Sequence, residues 1–164
     1  MVFIKAWKHI IAYISMLIYK IIFGKRLFIG KRTTWRKGFS LMISPQGMIS
    51  IGDNCFFNNY CSINALEKIS VGNYCIFGEN VKIYDHNHKF RLEGPIKPQG
   101  YTHAPISIGD NCWIGSGVII LKGVSIGNHC VIGAGCVIDK DVPPNHIVKN
   151  NMDLKLEEII SNKQ

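Results

Sequence analysis

The feature that most restricts the fold of this chain is a repeat with a period of six residues. From position 51 an aliphatic or aromatic residue returns at every sixth place, with one slip of two residues and one longer interruption. A fixed short period is typical of a solenoid, in which each repeat packs against its neighbours. The repeated residues are Ile51, Phe57, Ile63, Val71, Phe77, Ile83, Ile108, Ile114, Ile120, Ile126, Ile132 and Ile138, with a fainter earlier set at Ile29, Trp35 and Leu41.

This period predicts an all-β fold, a parallel β-helix in which each repeat supplies one short strand and one tight turn. The repeated residue points inward and stacks on its counterpart in the next coil, about 4.8 Å away. Because a stack of coils cannot bury its own ends, both termini are candidate caps. We expect an N-terminal amphipathic helix over residues 1–27, a β-helix over 28–150 with a loop at 84–105, and a C-terminal helix or tail over 151–164.

The repeat also accounts for the six cysteines, each of which lies four places after a repeated residue. Valine occupies the same slot in other repeats, for example at Val81 and Val118. A free cysteine packs as a small hydrophobic residue, and no C-x-x-C pair is present. We therefore predict buried free thiols in a reducing compartment, and neither disulfides nor zinc ligands.

The positive charge of the chain is concentrated at its N-terminus. Residues 1–52 contain nine Lys or Arg and no Asp or Glu, whereas the remaining residues contain ten against eleven. No nucleic-acid-binding motif accompanies this charge. Residues 3–23 are apolar at helical spacing, but their longest uncharged run has 11 residues against the ~20 that a bilayer requires. The helix therefore either packs on the protein or its oligomer, or it contacts an anionic membrane surface through residues 1–37.

The repeat is interrupted at residues 84–105, which read YDHNHKFRLEGPIKPQGYTHAP. The prolines and glycines of this segment predict a loop without regular strand or helix. Long loops on rigid scaffolds are common places for function. His86 and His88 lie at the start of this loop, and neutral imidazole can take a proton from a hydroxyl at physiological pH.

The stretch IGDNCWIGSGVIILKGVSIGNHCVIGAGCVIDKDVPP at residues 108–144 resembles the hexapeptide-repeat acyltransferases, in particular the galactoside and maltose O-acetyltransferases. The resemblance covers roughly residues 50–150. It implies a left-handed β-helix and a homotrimer with active sites in grooves between neighbouring subunits. It also implies acetyl-CoA as co-substrate, and we expect no required metal.

The resemblance implies that His86 is the general base, with His88 as the alternative. Asp85 or a main-chain carbonyl is expected to hold the second ring nitrogen. The expected acceptor contacts are Asn58, Asp85, His88 and His103. The implied or expected cofactor contacts are Trp113, Ser116, Ala134, Lys140 and Lys155. After DVPP the family continues with a glycine-containing turn that this chain lacks, so Lys149 or Lys155 is expected to replace a CoA contact.

These features predict an acetyl-CoA-dependent O-acetyltransferase that modifies a sugar hydroxyl without a covalent acyl-enzyme. We expect the acceptor to be a surface polysaccharide (capsule, O-antigen or exopolysaccharide) and the protein to be cytoplasmic, with a peripheral location at the inner membrane left open by the two roles of the N-terminal helix. The alternative acceptor is a xenobiotic of the streptogramin or chloramphenicol type. A γ-class carbonic anhydrase shares the β-helix but needs three histidine ligands, and His129 has no histidine neighbour. A non-enzymatic scaffold is the remaining alternative.

Overall fold

The structure is a computed structural model that describes residues 2–150, with side chains described from residue 12 onward. The predicted C-terminal helix or tail at 151–164 lies outside the described residues, and so does Lys155. The chain begins with helix α1 (Val2–Phe23) and a 3-10 turn (Gly24–Arg26), after which all regular structure is short strands and one further 3-10 turn.

Sixteen of the strands, numbered along the chain, form three parallel sheets that we call faces A, B and C. Face A consists of β1 (Leu27–Ile29), β4 (Met48–Ile51), β7 (Lys68–Val71), β12 (Ile106–Ile108) and β15 (Ser125–Ile126). Face B consists of β2 (Thr34–Trp35), β5 (Phe56–Phe57), β8 (Ile76–Phe77), β13 (Trp113–Ile114), β16 (Val131–Ile132) and β18 (Ile147–Val148). Face C consists of β3 (Ser40–Ile43), β6 (Ser62–Ala65), β9 (Lys82–Tyr84), β14 (Ile119–Ile120) and β17 (Val137–Ile138).

The chain visits faces A, B and C in turn, so three successive strands make one coil of a three-sided parallel β-helix. This confirms the predicted fold class. Coil 1 comprises β1–β3, coil 2 β4–β6, coil 3 β7–β9, coil 4 β12–β14 and coil 5 β15–β17. We call the turns between faces the AB, BC and CA corners.

The repeated residues form the core. Every one of them from Ile51 to Ile138 is at most 5% exposed, and so are the three members of the fainter earlier set. They stack coil on coil, as shown by the rings of Phe57 and Phe77, which lie 4.2 Å apart and nearly parallel. The slip in the repeat occurs where strands lengthen to four residues and each buries two side chains, for example Ile63 and Ala65 in β6.

The AB corners show why glycine often follows the repeated residue. A Cβ on Gly72 would lie 2.7 Å from the main-chain carbon of Gly109 in the next coil, so the close approach of the coils requires glycine there. In coils 2 to 5 the next position holds an Asp or Asn side chain that bridges coils. The main-chain N–H of Asp53 donates to Asn73 Oδ1 at 2.8 Å, and that of Asn73 donates to Asp110 Oδ1 at 2.6 Å.

Helix α1 covers the open end of coil 1. Its packed face carries Ala12, Met16, Tyr19 and Phe23 against the core. Two hydrogen bonds fix it there: the Trp35 indole N–H donates to Ser15 Oγ at 2.9 Å, and the Tyr19 hydroxyl donates to the carbonyl of Phe39 at 3.1 Å. The predicted N-terminal cap is therefore confirmed for this face of the helix. Within residues 2–150, no helix has an apolar stretch long enough to cross a membrane.

The interruption at 84–105 is more regular than predicted. Strands β10 (His86–His88) and β11 (Tyr101–His103) pair antiparallel and form a hairpin at the CA corner of coil 3, and a 3-10 turn (Lys97–Gln99) lies between them. The expectation that this segment lacks regular strand was wrong. The prolines and glycines that motivated it lie between the two strands or after them, where they do not disturb the pairing.

All six cysteines are free and at most 5% exposed, as the repeat predicts. Four of them form a ladder at the AB corner, where each thiol donates to a carbonyl of the next coil at 3.1 Å, for example Cys75 to Gly109. Burial raises the pKa of the Cys61 thiol, whereas a hydrogen bond with Cys75 lowers the pKa of Cys112 to about 7, so exclusion from solvent is what protects the thiols of the ladder.

We therefore expect the native protein to react with a thiol reagent such as DTNB at least about 10²-fold more slowly than the denatured chain. Stopped-flow absorbance with and without guanidinium measures this ratio, and the denatured chain should titrate all six thiols. Rapid labelling of the native protein would contradict the packing role of these residues.

Candidate active site

The hairpin at the CA corner gathers the predicted histidines on one surface. In its register His86 lies opposite His103, and His88 lies opposite Tyr101. Because alternate residues of a strand point to the same side, these four side chains share one face of the hairpin. The Tyr101 ring contacts both neighbours, at 5.4 Å edge-on to His86 and 4.5 Å from His88 between ring centroids.

Asp85 directly precedes this hairpin, and its carboxylate has more hydrogen-bond partners than any other side chain of the site. Its carboxylate is fully buried. Oδ1 accepts the N–H of Leu66 at 2.8 Å, and Oδ2 accepts those of Glu67 and Lys68 at 2.8 and 2.9 Å. Three main-chain donors surround the buried carboxylate and compensate its negative charge. The sequence left two roles open for Asp85, and its burial fits the partner of His86 rather than an acceptor contact.

His86 is held by this carboxylate. Its Nδ1 lies 3.1 Å from Asp85 Oδ1, and its side chain is 18% exposed. An ionised carboxylate only accepts hydrogen bonds, so Nδ1 carries a proton, and in the neutral imidazole Nε2 keeps its lone pair. The arrangement therefore presents an oriented imidazole whose free nitrogen can take a proton from a bound hydroxyl.

Glu67 and Tyr101 belong to this site and were missed from the sequence. Glu67 Oε2 lies 2.7 Å from Nδ1 of His103, so a second carboxylate–imidazole pair stands across the hairpin from the first. Glu67 lies where the repeat slips between positions 63 and 71. The slip indicated an irregular turn there, but it did not indicate that Glu67 contacts His103. Tyr101 and His103 are alternate residues of β11 and therefore point to the same side. This could have been predicted only if residues 101–103 had been assigned to a strand.

Three of the implied cofactor residues lie at or near the BC corner, away from the hairpin. Ser116 and Ala134 occupy this corner in coils 4 and 5, and both are exposed. Trp113 precedes Ser116 on face B and exposes 58% of its surface. Asn58 also lies at the BC corner, where its Oδ1 accepts the N–H of Asn59 at 2.9 Å and lies 3.3 Å from an Arg36 nitrogen.

One chain therefore does not bring all predicted site residues together. The strands of face C separate the BC corner from the CA corner, and five residues of extended chain span about 16 Å. His86, His88 and His103 lie at one edge of this face, whereas Asn58, Ser116 and Ala134 lie at the other. Lys140 is exposed at the CA corner of coil 5, two coils along from the hairpin, and Lys149 is exposed after β18.

These residues have the chemistry that acetyl-CoA requires. The exposed Trp113 ring offers an apolar surface for a pantetheine arm, and the small side chains of Ser116 and Ala134 leave the main chain accessible. Lys140 would supply a cation for a phosphate of bound CoA. Among residues 2–150, no group of three His, Cys, Asp or Glu side chains is arranged to hold a metal ion.

Replacing Asp85 by Asn should impair both turnover and folding. An amide presents one acceptor oxygen and one NH₂ group to three converging N–H donors, so about 1–3 kcal/mol of unfolding free energy should be lost. The His86 tautomer is no longer fixed, and we expect about 10²-fold slower acetyl transfer. Glu67→Gln is the matched control for stability, because it keeps the main-chain N–H that Asp85 accepts and changes only a partly exposed carboxylate. Unchanged turnover and denaturant unfolding in Asp85→Asn would contradict this role.

Comparison with known proteins agrees with this fold. The sequence profile of the family described as bacterial transferase hexapeptide (six repeats) matches residues 105–140. A maltose O-acetyltransferase from Clostridium difficile 630 is 33% identical, with a TM-score of 0.65 over 85% of this chain and 75% of that one. The hexapeptide-repeat acetyltransferase VCA0836 of Vibrio cholerae, solved with acetyl-CoA, is 27% identical, with a TM-score of 0.65 over 73% and 64% of the two chains.

A third solved structure, the polysialic acid O-acetyltransferase OatWY, is 25% identical, with a TM-score of 0.63 over 83% of this chain and 69% of that one. The chain spans about half the length of the first curated relatives that it matches. The similarity to the maltose enzyme covers three quarters of that protein and most of this one. With its six-residue repeat, three-sided β-helix and family match, the chain belongs to the hexapeptide-repeat acyltransferase family.

Proposed function

We propose that the protein is an acetyl-CoA-dependent O-acetyltransferase that acts on a sugar hydroxyl. The observation that carries the proposal is the Asp85–His86 pair, in which a buried carboxylate orients a half-buried imidazole on a solvent-facing hairpin. The maltose O-acetyltransferase and the acetyl-CoA complex among its structural neighbours support the reaction type and the donor.

The reaction needs a base because a sugar hydroxyl is a weak nucleophile. When bound, acetyl-CoA supplies the acetyl group as a thioester. His86 Nε2 takes the proton of the acceptor hydroxyl while the new C–O bond forms and the C–S bond breaks, and the imidazolium then returns that proton to the departing thiolate. Asp85 stabilises the imidazolium and keeps Nδ1 protonated throughout. Since the acceptor oxygen attacks directly, no covalent acyl-enzyme is required.

A homotrimer completes the site in this proposal. The base lies at the CA corner, whereas the implied cofactor contacts Ser116 and Ala134 lie across face C at the BC corner. A cyclic arrangement in which the CA corner of one subunit faces the BC corner of the next brings the two halves together. Three equivalent sites then form at three equivalent interfaces.

The acceptor that we propose is a glycan of the cell surface, such as capsule, O-antigen or exopolysaccharide. Its support is the similarity to the polysialic acid O-acetyltransferase OatWY. The exposed rings of Tyr101 and His88 beside His86 fit a pyranose, because aromatic side chains pack against the apolar faces of sugar rings. Acetyl-CoA is made inside the cell, so we place the reaction in the cytoplasm.

The first test is removal of the base. His86→Ala should fold normally, bind acetyl-CoA at one site per chain by titration calorimetry, and lose about 10²–10⁴-fold in acetyl transfer. His88→Ala is the matched control on the same hairpin face and should keep its rate within about tenfold. Wild-type turnover in His86→Ala together with inactivity of His88→Ala would move the base to His88. Acetyl transfer to chloramphenicol or a streptogramin, but not to sugars, would contradict the proposal that the acceptor is a sugar.

The second test is complementation between subunits. His86→Ala lacks the base, and Ala134→Trp fills the cofactor corner, so each variant alone should be inactive. In a mixed trimer, an interface is active when one subunit supplies an intact His86 and its neighbour supplies an intact BC corner. Random mixing produces this pairing at about a quarter of the interfaces, so about a quarter of the wild-type rate should return. Light scattering should show trimers for both parents. A mixture that stays inactive would contradict a site shared between subunits.

A further inference from the structure

Helix α1 has a second apolar face that nothing covers within the described chain. Two adjacent rows at i, i+4 spacing form this face, which we call the outer face of α1: Tyr13, Ile14, Leu17, Ile18, Ile21 and Ile22. Each of these residues is at least 50% exposed, and Ile21 is 82% exposed. At 100° per residue the two rows point away from the packed row. So large a contiguous apolar surface on a water-soluble fold is typical of an interaction site.

Three cations lie beside this face. A cleft of about 440 Å³ separates α1 from the first turn of the β-helix, and Lys20, Lys31 and Arg32 line it together with apolar residues of both elements. No Asp or Glu occurs in residues 1–52. Within the described residues, the only carboxylate ion pairs involve histidines of the hairpin site, so these three cations have no carboxylate partner.

We propose that the outer face of α1 and its three cations dock the protein on an anionic phospholipid membrane. An amphipathic helix lies in the membrane interface with its apolar side chains among the acyl chains and its cations at the lipid phosphates. The charge of the segment favours this occupant over a second copy of the chain. A second copy would bring the same nine cations without a single acid to face them, and like charges repel.

The position of α1 makes such docking compatible with the rest of the molecule. The helix covers the end of coil 1, so its outer face points away from the coils and away from the hairpin. The hairpin leaves coil 3, about 10 Å further along the axis. A membrane-docked molecule would therefore hold His86 beyond the lipid head groups, in water. The proposal uses no residue of the catalytic site and does not depend on the acetyltransferase assignment.

Co-sedimentation of the full chain with vesicles tests the proposal. We expect binding to phosphatidylcholine vesicles that contain phosphatidylglycerol, much weaker binding to phosphatidylcholine alone, and a decrease at high ionic strength. Leu17→Gln/Ile21→Gln removes apolar contacts, and Lys20→Gln/Lys31→Gln/Arg32→Gln removes the cations. Each variant should lower the partition coefficient about tenfold or more.

Two control variants carry the same kinds of substitution at exposed positions away from α1. Ile147→Gln polarises a residue that is 65% exposed at the opposite end of the β-helix. Lys89→Gln/Arg91→Gln/Lys97→Gln removes the same charge from the exposed hairpin loop. Both controls should bind vesicles like the wild type. Circular dichroism verifies folding, and acetyl transfer to a soluble sugar without vesicles should be unchanged in the α1 variants, which separates this proposal from the enzymatic one.

Three outcomes would overturn the proposal. The first is no binding of the wild-type chain to anionic vesicles. The second is an equal loss of binding in the loop control, which would mean unspecific attraction of a basic protein. The third is a change in assembly mass for Leu17→Gln/Ile21→Gln, measured by light scattering, without loss of vesicle binding, which would assign the outer face of α1 to a second copy.

Discussion

The structure depends on the stacking of one buried side chain per six residues. Each inward residue rests on the equivalent residue of the next coil, and the main chain of each coil bonds to its neighbours in register. Neighbouring coils approach closely at the corners and must be joined there by hydrogen bonds. Glycine, asparagine and aspartate recur at the corners for this reason. Where two coils approach closely, as at Gly72, no side chain fits, and Asp110 of the next coil supplies the bridging oxygen, which accepts the N–H of Asn73.

Within this regular stack, one carboxylate connects the scaffold to the site. Asp85 ends face C in coil 3 and satisfies three main-chain N–H groups of the preceding CA corner. The same oxygen that bonds Leu66 also holds Nδ1 of His86. The orientation of the imidazole is thus set by the same group that shapes the turn beneath it. Glu67, carried by that turn, reaches His103 and fixes the other strand of the hairpin.

The sequence predicted the fold well because the repeat is a purely local signal. A residue such as Ile114 shows its inward position through its neighbours six places away, and the cysteine slot follows from the same count. The hairpin and the Glu67–His103 contact were not predictable in this way, since the hairpin forms in a segment without a repeat and the contact joins residues 36 positions apart. The separation of Asn58 from His86 was equally hidden, because sequence distance does not tell which corner of a coil a residue occupies.

Helix α1 and the hairpin are attached to different coils, and this has a mechanical consequence. In a solenoid each coil contacts only the coils directly above and below it, so a disturbance weakens with every layer that it crosses. Coil 2 stands between the helix that covers coil 1 and the hairpin that leaves coil 3. It acts as a spacer, so that whatever holds the end of the molecule can change without altering the alignment of the imidazole.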